Sequence, residues 1–447
     1  MVGFSDIAGF SNIMDSNSFR GQPPPDDTAP LIAARERLLG PANRLFYERP
    51  VHIVRGEGTH LYDADGLEYL DAYNNVVSVG HCEPRVVDAV TRQMSTLNTH
   101  TRYLHEGIVD YSARLLATLS DGRPGTPDQV MYACTGSEAN DLALRIAEMY
   151  TGATGVIVTT EAYHGNTAAV TAISPSLGGA ATLGPHVRVV PPPDSYRVPA
   201  AELAARFAAD VAGAADDLVA AGFGVSALVL DTIFSSDGVY ATPDVLGPAV
   251  DVVRGHGGVF LADEVQPGFA RTGEGMWGFT RHGVVPDLVT MGKPMGNGMP
   301  VAAMAGRSEV IAPFATGVPY FNTFAGNAVS MAAANAVLDV IDDDGLLDNA
   351  RNIGAALRTE LSRIDDPRLG DVRGTGLYIG VEIVSDPQAK TPDRAQARRL
   401  VNALRERRVL ISVCGSEGHV LKIRPPLVFS ATDVDWFCSA FTDALAQ

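Results

Sequence analysis

Lys293 could supply a reactive amine. Among 34 lysine and arginine residues only three are lysines, namely Lys293, Lys390 and Lys422. A lysine amine can lose its proton and add to a carbonyl group, whereas an arginine guanidinium does not. Lys293 follows an apolar run over residues 284–291 that predicts a buried strand, and the neighbouring glycines would let a ligand approach the backbone. Taken alone, this pattern fits a Schiff-base lysine and an ordinary loop lysine equally well.

A second candidate is the carboxylate pair at the end of another apolar run. Asp263 and Glu264 directly follow residues 259–262, which predict a buried strand. A carboxylate at a buried strand end needs a cationic partner, and the protonated pyridine nitrogen of pyridoxal phosphate (PLP) would be one. The alternatives are a helix N-cap and a salt bridge to Arg271.

Two further junctions could bind other parts of such a cofactor. Gly136 and Ser137 lie between a predicted strand and a helix predicted over residues 137–150. The free amides and positive dipole end of a helix N-terminus suit a phosphate, although Ser137 alone is more typical of a simple N-cap. Tyr163 follows another strand and could stack on a flat ring. The adjacent His164 is more typical of a hydrogen-bonded structural residue than of a base.

The elements that must position these residues alternate along the chain from about residue 81. The alternation of strands and helices predicts an α/β fold, with a mostly parallel sheet covered by helices. In such folds the ligand site lies beyond the carboxyl ends of the strands. A chain of 447 residues is too long for one compact unit, so a large and a smaller domain are expected. Apolar runs predict the sheet strands at residues 129–134, 155–159, 187–190, 227–230, 259–262 and 288–291.

The composition excludes several classes of function. A formal net charge of −18 argues against a nucleic-acid-binding surface. The four cysteines, Cys82, Cys134, Cys414 and Cys438, are far apart and lack metal-binding spacing, so no metal site is predicted. They indicate free thiols in a reducing compartment, and with no signal peptide or membrane span in the sequence we expect a cytoplasmic protein.

The chain contains four motifs, which are Gly136-Ser137-Glu138-Ala139-Asn140, Tyr163-His164-Gly165, Asp263-Glu264-Val265-Gln266 and Gly292-Lys293. In this order and spacing they resemble class III aminotransferases, which are PLP enzymes of fold type I. The resemblance extends from about residue 30 to the C-terminus. It implies a large domain with a mostly parallel mixed sheet flanked by helices, plus a smaller α+β domain. The expected boundaries are an N-terminal arm (1–28), the N-terminal part of the small domain (29–80), the large PLP-binding domain (81–328) and the C-terminal small domain (329–447).

The resemblance implies that the cofactor is pyridoxal 5'-phosphate and assigns catalytic roles. Lys293 would form the Schiff base with the cofactor and, once displaced by substrate, would move a substrate proton. Asp263 would pair with the pyridine nitrogen and keep it protonated. Gln266 would hydrogen-bond the ring hydroxyl, while Tyr163 and Val265 would pack on opposite faces of the ring.

The resemblance also implies where the phosphate of the cofactor lies. Gly136 and Ser137 would hold it, and Thr323 would reach the phosphate bound by a partner subunit. The chain is therefore expected to form a homodimer with the active site at the interface.

Class III enzymes include transaminases, decarboxylases, racemases and phospho-lyases, so the fold does not decide the reaction. Residues 230–237 lack the Glu-Pro and the Gln-Gly turn that transaminases usually carry there. Residues 71–81 are similar to the Asn-Asn-Val loop of ethanolamine-phosphate and phosphohydroxylysine phospho-lyases. Lys422 stands where many transaminases have a carboxylate-binding arginine, and Arg424 adds a second cation.

Four residues are candidates for binding the substrate. In a strand, Lys422 and Arg424 would project from the same face and could bind a dianion together. The alternative is that both cations bind the acidic surface of the protein itself. Asn75 is a candidate contact or only a turn residue, and Arg102 is a further candidate for anion binding.

These observations together predict a PLP-dependent phospho-lyase, a carbon–oxygen lyase acting on phosphates. Its substrate would be O-phosphoethanolamine or a similar small phosphorylated amine, and its products an aldehyde, ammonia and phosphate. The alternative is an aminotransferase that moves an amino group between an amine or amino acid and a keto acid. A third interpretation, a PLP-binding protein without turnover, is disfavoured by the intact Lys293 and Asp263.

Overall fold

The computed structural model describes residues 16–21, 28–120, 123–178 and 183–447 of the chain. The helices are α1 (Ala29–Leu39), α2 (Pro84–Thr96), α3 (Glu106–Leu119), α4 (Gly136–Thr151), α5 (Ala168–Thr171), α6 (Ala200–Ala220), α7 (Gly247–Gly255), α8 (Ser308–Gly317), α9 (Ala328–Asp343), α10 (Leu346–Ser362), α11 (Arg394–Glu406) and α12 (Ala431–Leu445). The strands are β1 (Ile53–Glu57), β2 (His60–Asp63), β3 (Glu68–Asp71), β4 (Gln129–Ala133), β5 (Val156–Thr159), β6 (Val187–Val190), β7 (Ala227–Leu230), β8 (Val259–Asp263), β9 (Leu288–Met291), β10 (Ala302–Gly306), β11 (Leu369–Thr375), β12 (Tyr378–Asp386), β13 (Thr391–Pro392), β14 (Val409–Leu410), β15 (Ser412–Cys414) and β16 (Val420–Ile423).

The central sheet has seven strands in the order β4-β10-β9-β8-β7-β5-β6. Among these described strands only β10 runs against the others, because it pairs antiparallel with both β4 and β9. The predicted α/β fold with a mostly parallel mixed sheet is therefore confirmed. The sequence analysis does not predict β10, because its residues include no β-branched or aromatic side chain.

Helices cover both faces of this sheet, and the apolar strands supply a separate core to each face. On β8, Leu261 joins the apolar cluster under α4, whereas Phe260 and Ala262 join the cluster under α6 and α7. This division follows from the alternation of side chains along a strand. It also explains why the strands are apolar throughout, since each face of the sheet is buried.

Two smaller sheets complete the fold and bring the two ends of the chain together. The first has the order β1-β2-β3-β14, in which β14 pairs in parallel with β3. The second has the order β11-β12-β16-β15, with β13 added beside β12. The segment that connects β3 to α2 consequently lies against the end of β16, where the backbone amide of Arg424 donates to the carbonyl oxygen of Ala72 over 2.8 Å.

Most of the predicted N-terminal arm, residues 1–28, lies outside the described residues. Within the described part of the arm, the backbone amide of Tyr47 donates to the carbonyl oxygen of Asn17. The domain boundaries given above stay predictions. No helix in the described ranges is both long enough and apolar enough to cross a membrane.

Candidate active site

A cleft of about 350 Å³ opens at the carboxyl edge of the central sheet. The ends of β4, β5, β7, β8 and β9 surround it, together with the loop that enters β10. This is the position that the parallel strands predict for a ligand. Among the predicted site residues, those that line the cleft are Gly136, Ser137, Tyr163, Asp263, Val265, Gln266 and Lys293.

Lys293 lies two residues after β9 and points its amine into the cleft without a protein partner. No hydrogen bond or ion pair to this amine occurs within the described residues. Burial lowers the pKa of Lys293, and the charge of Arg424 lowers it further, while Asp263 and Asp231 act in the opposite direction. A lysine with a lowered pKa is more often neutral, which is the form that attacks a carbonyl. The position therefore favours the Schiff-base lysine over the ordinary loop lysine.

Asp263 ends β8 and is held from three sides. Its Oδ2 accepts from the side-chain amide of Asn140 at 3.0 Å and lies 2.7 Å from Nδ1 of His164. Its Oδ1 accepts from the backbone amide of Val265 at 3.1 Å. These contacts fix the carboxylate at the cleft wall, where it can meet a cationic group of a ligand.

Both alternatives for Asp263 are wrong. No helix begins at this residue, so it is not an N-cap. Arg271 donates instead to two backbone carbonyl oxygens from other parts of the chain. The negative charge of Asp263 is thus left for a ligand and for His164.

Asn140 and Thr290, which were not predicted as site residues, support Asp263 from behind. The hydroxyl of Thr290 donates to Oδ1 of Asn140 over 2.6 Å, so the amide nitrogen of Asn140 must face Asp263 and the carbonyl oxygen of His164. The sequence contained a signal for Asn140, which is a polar residue on the apolar face of α4. In the structure it is only 1% exposed. The hydrogen-bonded structural role predicted for His164 is confirmed.

The N-terminus of α4 forms a concave cradle at the cleft. Thr135, and not Ser137, caps the helix, in a capping box with Glu138. The interpretation of Ser137 as the N-cap is therefore wrong. Its hydroxyl instead exchanges hydrogen bonds with Asn166. Gly165 packs so closely here that an added Cβ would lie 2.3 Å from Oγ of Ser137. The helix N-terminus and the serine hydroxyl suit an anion such as a phosphate.

Tyr163 and Val265 line the same cleft as Asp263 and Lys293. Val265 also approaches the cradle, since an added Cβ on Gly136 would lie 3.1 Å from one of its methyl groups. Burial raises the pKa of Tyr163, so its ring stays uncharged. A flat ligand between these two side chains would have an aromatic contact and an aliphatic contact, as the resemblance implies.

Lys422 lies in β16 and Arg424 directly follows that strand; both are buried, and neither lines the cleft. Their exposed fractions are 8% and 7%, and neither forms an ion pair with a carboxylate in the part of the chain that the structure describes. The idea that they bind the acidic surface of the protein is therefore wrong. Burial, with the charge of Arg424 as a further cause, lowers the pKa of Lys422 to about 8.

Arg424 connects the predicted substrate loop to the cleft. Its Nη1 donates to Oδ1 of Asn75 at 3.0 Å and to Oε1 of Gln266 at 2.6 Å. The guanidinium carbon also lies 4.5 Å from the centre of the Tyr73 ring. Asn75 is thus more than a turn residue, although the Asx turn of Asn74 precedes it.

Thr323 and Arg102 do not line this cleft within a single chain. Thr323 is exposed in the loop before α9, and its contact with a cofactor in a partner subunit stays a prediction. Arg102 is also exposed, and its guanidinium stacks 3.9 Å from the ring centre of Phe321. The position of Arg102 gives no support to anion binding in this cleft.

Asp231 is an acidic residue of the cleft to which the sequence analysis gave no role. It directly follows β7 and accepts from the hydroxyl of Ser235 and the backbone amide of Ile233. Burial raises its pKa. Asp231 could have been predicted from the sequence, because it stands at the end of an apolar run that predicts a buried strand, as Asp263 does.

Residues 45–445 match the family model described as Aminotransferase class-III. A Drosophila melanogaster protein named alanine–glyoxylate aminotransferase 2-like is 40% identical over 430 residues, which cover 93% of this chain and 86% of the relative. The chain belongs to the class III aminotransferase family. The chain is also 34% identical over 427 residues to ethanolamine-phosphate phospho-lyase homolog 1 of Caenorhabditis elegans, with 90% of each chain covered.

Among solved structures, the chain is similar to a phospholyase from Arthrobacter in complex with phosphoethanolamine. The TM-score is 0.89 and the sequence identity 42%, over 93% of this chain and 99% of the other. The predicted family and its fold are confirmed.

The cofactor of this member of the family is pyridoxal 5'-phosphate. Its cleft fits that group, because an unpartnered amine, a fixed carboxylate and a helix N-terminus meet in it. Lys293 would hold the aldehyde carbon, Asp263 the ring nitrogen and the α4 cradle the phosphate. The described residues contain no group of three or more histidine, cysteine or acidic side chains that could hold a metal ion.

Proposed function

We propose that this protein is a PLP-dependent phospho-lyase that acts on O-phosphoethanolamine or a similar small phosphorylated amine. One observation carries the proposal: Lys422 and Arg424 are buried, Arg424 donates to the cleft residue Gln266, and neither cation has a carboxylate partner in the described ranges. Burying unpaired charge is costly, so such cations are expected to serve an anionic ligand. A phosphate monoester carries nearly two negative charges at neutral pH and matches two cations better than a single carboxylate does.

The comparisons support this choice of substrate without deciding it. The Arthrobacter phospholyase was solved with phosphoethanolamine, and its sequence is 42% identical to this one. The Caenorhabditis elegans relative carries a phospho-lyase name as well.

The residues of the cleft account for the steps of an elimination. The bound cofactor withdraws electrons from the substrate carbon that bears the nitrogen. The neutral amine of Lys293 accepts the proton of that carbon, and Asp263 keeps the cofactor ring nitrogen protonated. The electron pair of the broken C–H bond forms a carbon–carbon double bond as the neighbouring C–O bond breaks. The phosphate leaves with the electrons of that bond, and Lys422 and Arg424 stabilise its charge. Water then hydrolyses the released enamine to acetaldehyde and ammonia.

The second candidate is an aminotransferase, as the name of the Drosophila relative indicates. An assay of the purified holoenzyme with phosphoethanolamine and no keto acid separates the two. A phospho-lyase releases phosphate, acetaldehyde and ammonia in equal amounts over many turnovers. If products formed only after pyruvate or 2-oxoglutarate was added, the aminotransferase would replace the lyase as the conclusion.

We also propose that the active enzyme is a cytoplasmic homodimer. The support for a dimer is a set of exposed apolar side chains around the loop that carries Thr323, because exposed apolar patches mark protein interfaces. Sedimentation of the wild type should give twice the chain mass, and Phe324→Asp should shift it toward the monomer. A monomeric and fully active wild type would contradict the dimer. The exposed side chains are Tyr103, Leu104, Phe321 and Phe324.

A further inference from the structure

The side-chain amide of Gln266 is held in one orientation by two donors. Its Oε1 accepts from Nη1 of Arg424 at 2.6 Å and from the hydroxyl of Tyr378 at 2.9 Å. An arginine has no acceptor, so the atom that faces it must be the amide oxygen. The amide nitrogen is the remaining polar atom of Gln266, and Gln266 lines the cleft.

The two donors are not equivalent. A tyrosine hydroxyl can donate to an amide oxygen or accept from an amide nitrogen, so Tyr378 tolerates either orientation of the amide. Arg424 tolerates only one. The orientation of Gln266 therefore depends on Arg424 and not on Tyr378.

Arg424 itself is fixed firmly enough to impose this orientation. Its backbone amide donates to Ala72, its side chain lies over the ring of Tyr73, and Nη1 is shared between Gln266 and Asn75. Both hydrogens of Nη1 are thus used. Its Nε is buried and has no hydrogen-bond partner in the described part of the chain. Arg424 therefore holds both Gln266 and Asn75 through Nη1 alone.

We propose that Arg424 is a positioning residue for the cofactor, which it serves by turning the amide nitrogen of Gln266 toward the ring oxygen. This inference rests on the cofactor contact predicted for Gln266, and it extends the proposed anion site. Arg424 then serves both the cofactor and the substrate phosphate, so a change at one of these two sites affects the other.

A double-mutant cycle on the holoenzyme without substrate tests the coupling. The measured quantity is the pH midpoint of the visible absorption change of the bound cofactor. Arg424→Met should raise this midpoint by about one pH unit, because a donor to the ring oxygen is lost and a nearby positive charge is removed. In a Gln266→Met background the same Arg424→Met change should have a clearly smaller effect.

Matched controls separate orientation from charge. Tyr378→Phe removes the other hydrogen bond to Gln266 but leaves its orientation set, so the midpoint should stay near the wild-type value. Arg424→Lys keeps a donor-only cation and should fall between the wild type and Arg424→Met. If Arg424→Met fails to fold, Arg424→Gln takes its place in the cycle with the same expectation.

Equal effects of Arg424→Met in the two backgrounds would overturn the proposal, because the arginine would then act through its charge alone. A larger change in Tyr378→Phe than in Arg424→Met would overturn it as well. Since no substrate is present, this outcome is independent of whether the enzyme proves to be a lyase or an aminotransferase.

Discussion

Lys422→Met is expected to stabilise the fold and to weaken substrate binding at once. Burial lowers the pKa of Lys422 from 10.5 to about 8. The folded state therefore disfavours the charged form of Lys422. The full free-energy cost of burying this charge is present at pH 7, because pH 7 lies below both the unfolded pKa and the folded pKa. At about 1.4 kcal/mol per pKa unit, the cost is at most about 3.5 kcal/mol. Methionine keeps the length of the side chain and removes the charge, so Lys422→Met should recover part of this energy.

The loss in substrate binding follows from the contact that Lys422 is proposed to make. A charge-assisted hydrogen bond contributes about 1.5–3 kcal/mol, so the KM for phosphoethanolamine should rise roughly 10- to 150-fold. Lys422→Arg keeps a cation at the same position and serves as the matched control, with a KM closer to that of the wild type. Because Lys422 loses its proton as the pH rises through about 8, the wild-type KM should also rise above that pH.

Two measurements on each holoenzyme test whether Lys422 binds the substrate or is only a structural cation. They are phosphate release at pH 7 and thermal unfolding at pH 7 and pH 10. All variants are compared at one protein and cofactor concentration, since ligands and subunit association shift the midpoint. The stability gained in Lys422→Met should shrink between pH 7 and pH 10, because the wild-type lysine becomes neutral over that range. A lower unfolding temperature together with an unchanged KM would show that Lys422 is a structural cation and would refute the reasoning.

Three other substitutions test the cofactor site. Lys293→Ala should abolish the absorption band of lysine-bound cofactor and lower turnover at least about 100-fold, and an active variant that kept the band would exclude Lys293 as the reactive amine. Asp263→Asn should retain bound cofactor but lower kcat about 100-fold or more, whereas near-normal turnover would make Asp263 structural. Gly165→Ala, at a φ of +139° and with its Cβ 2.3 Å from Ser137, should weaken cofactor binding to the apoprotein about tenfold in an equilibrium titration. Gly213→Ala, where an added Cβ meets nothing within 4 Å, is the control and should leave cofactor affinity unchanged.

The residues that sequence reasoning could find are those that follow buried strands. Lys293, Asp263 and Tyr163 come from three different strands, and the structure brings all three to one cleft. Their meeting is a consequence of parallel pairing, which places the carboxyl ends of all such strands at one edge. An apolar run and the polar residue after it are both local features, and so both can be read from the sequence.

The supporting contacts could not be predicted in the same way, because they join distant segments. The hydrogen bond from Thr290 to Asn140 links residues 150 positions apart, and nothing local in either sequence indicates the other. The orientation of Gln266 by Arg424 likewise depends on how β16 packs beside the cleft. For Arg102 the sequence shows the charge but not the stacking of the guanidinium on Phe321, and its role in anion binding stays a prediction.

The hydrogen bond between Asn75 and Arg424 spans 349 positions, and β3 pairs with β14 across a similar separation. During synthesis, the strands that form the cofactor cleft are complete once residue 306 has been added. β3 cannot pair with β14 until β14 has been synthesised. At roughly 5–20 residues per second, synthesis of the chain from β3 to β14 takes roughly 20–70 s. Over that interval the edge of β3 is unpaired and open to pairing with other chains. The strands of the cofactor cleft are therefore made before Arg424, which orients Gln266, and the N-terminal strands need protection until nearly the whole chain has been made.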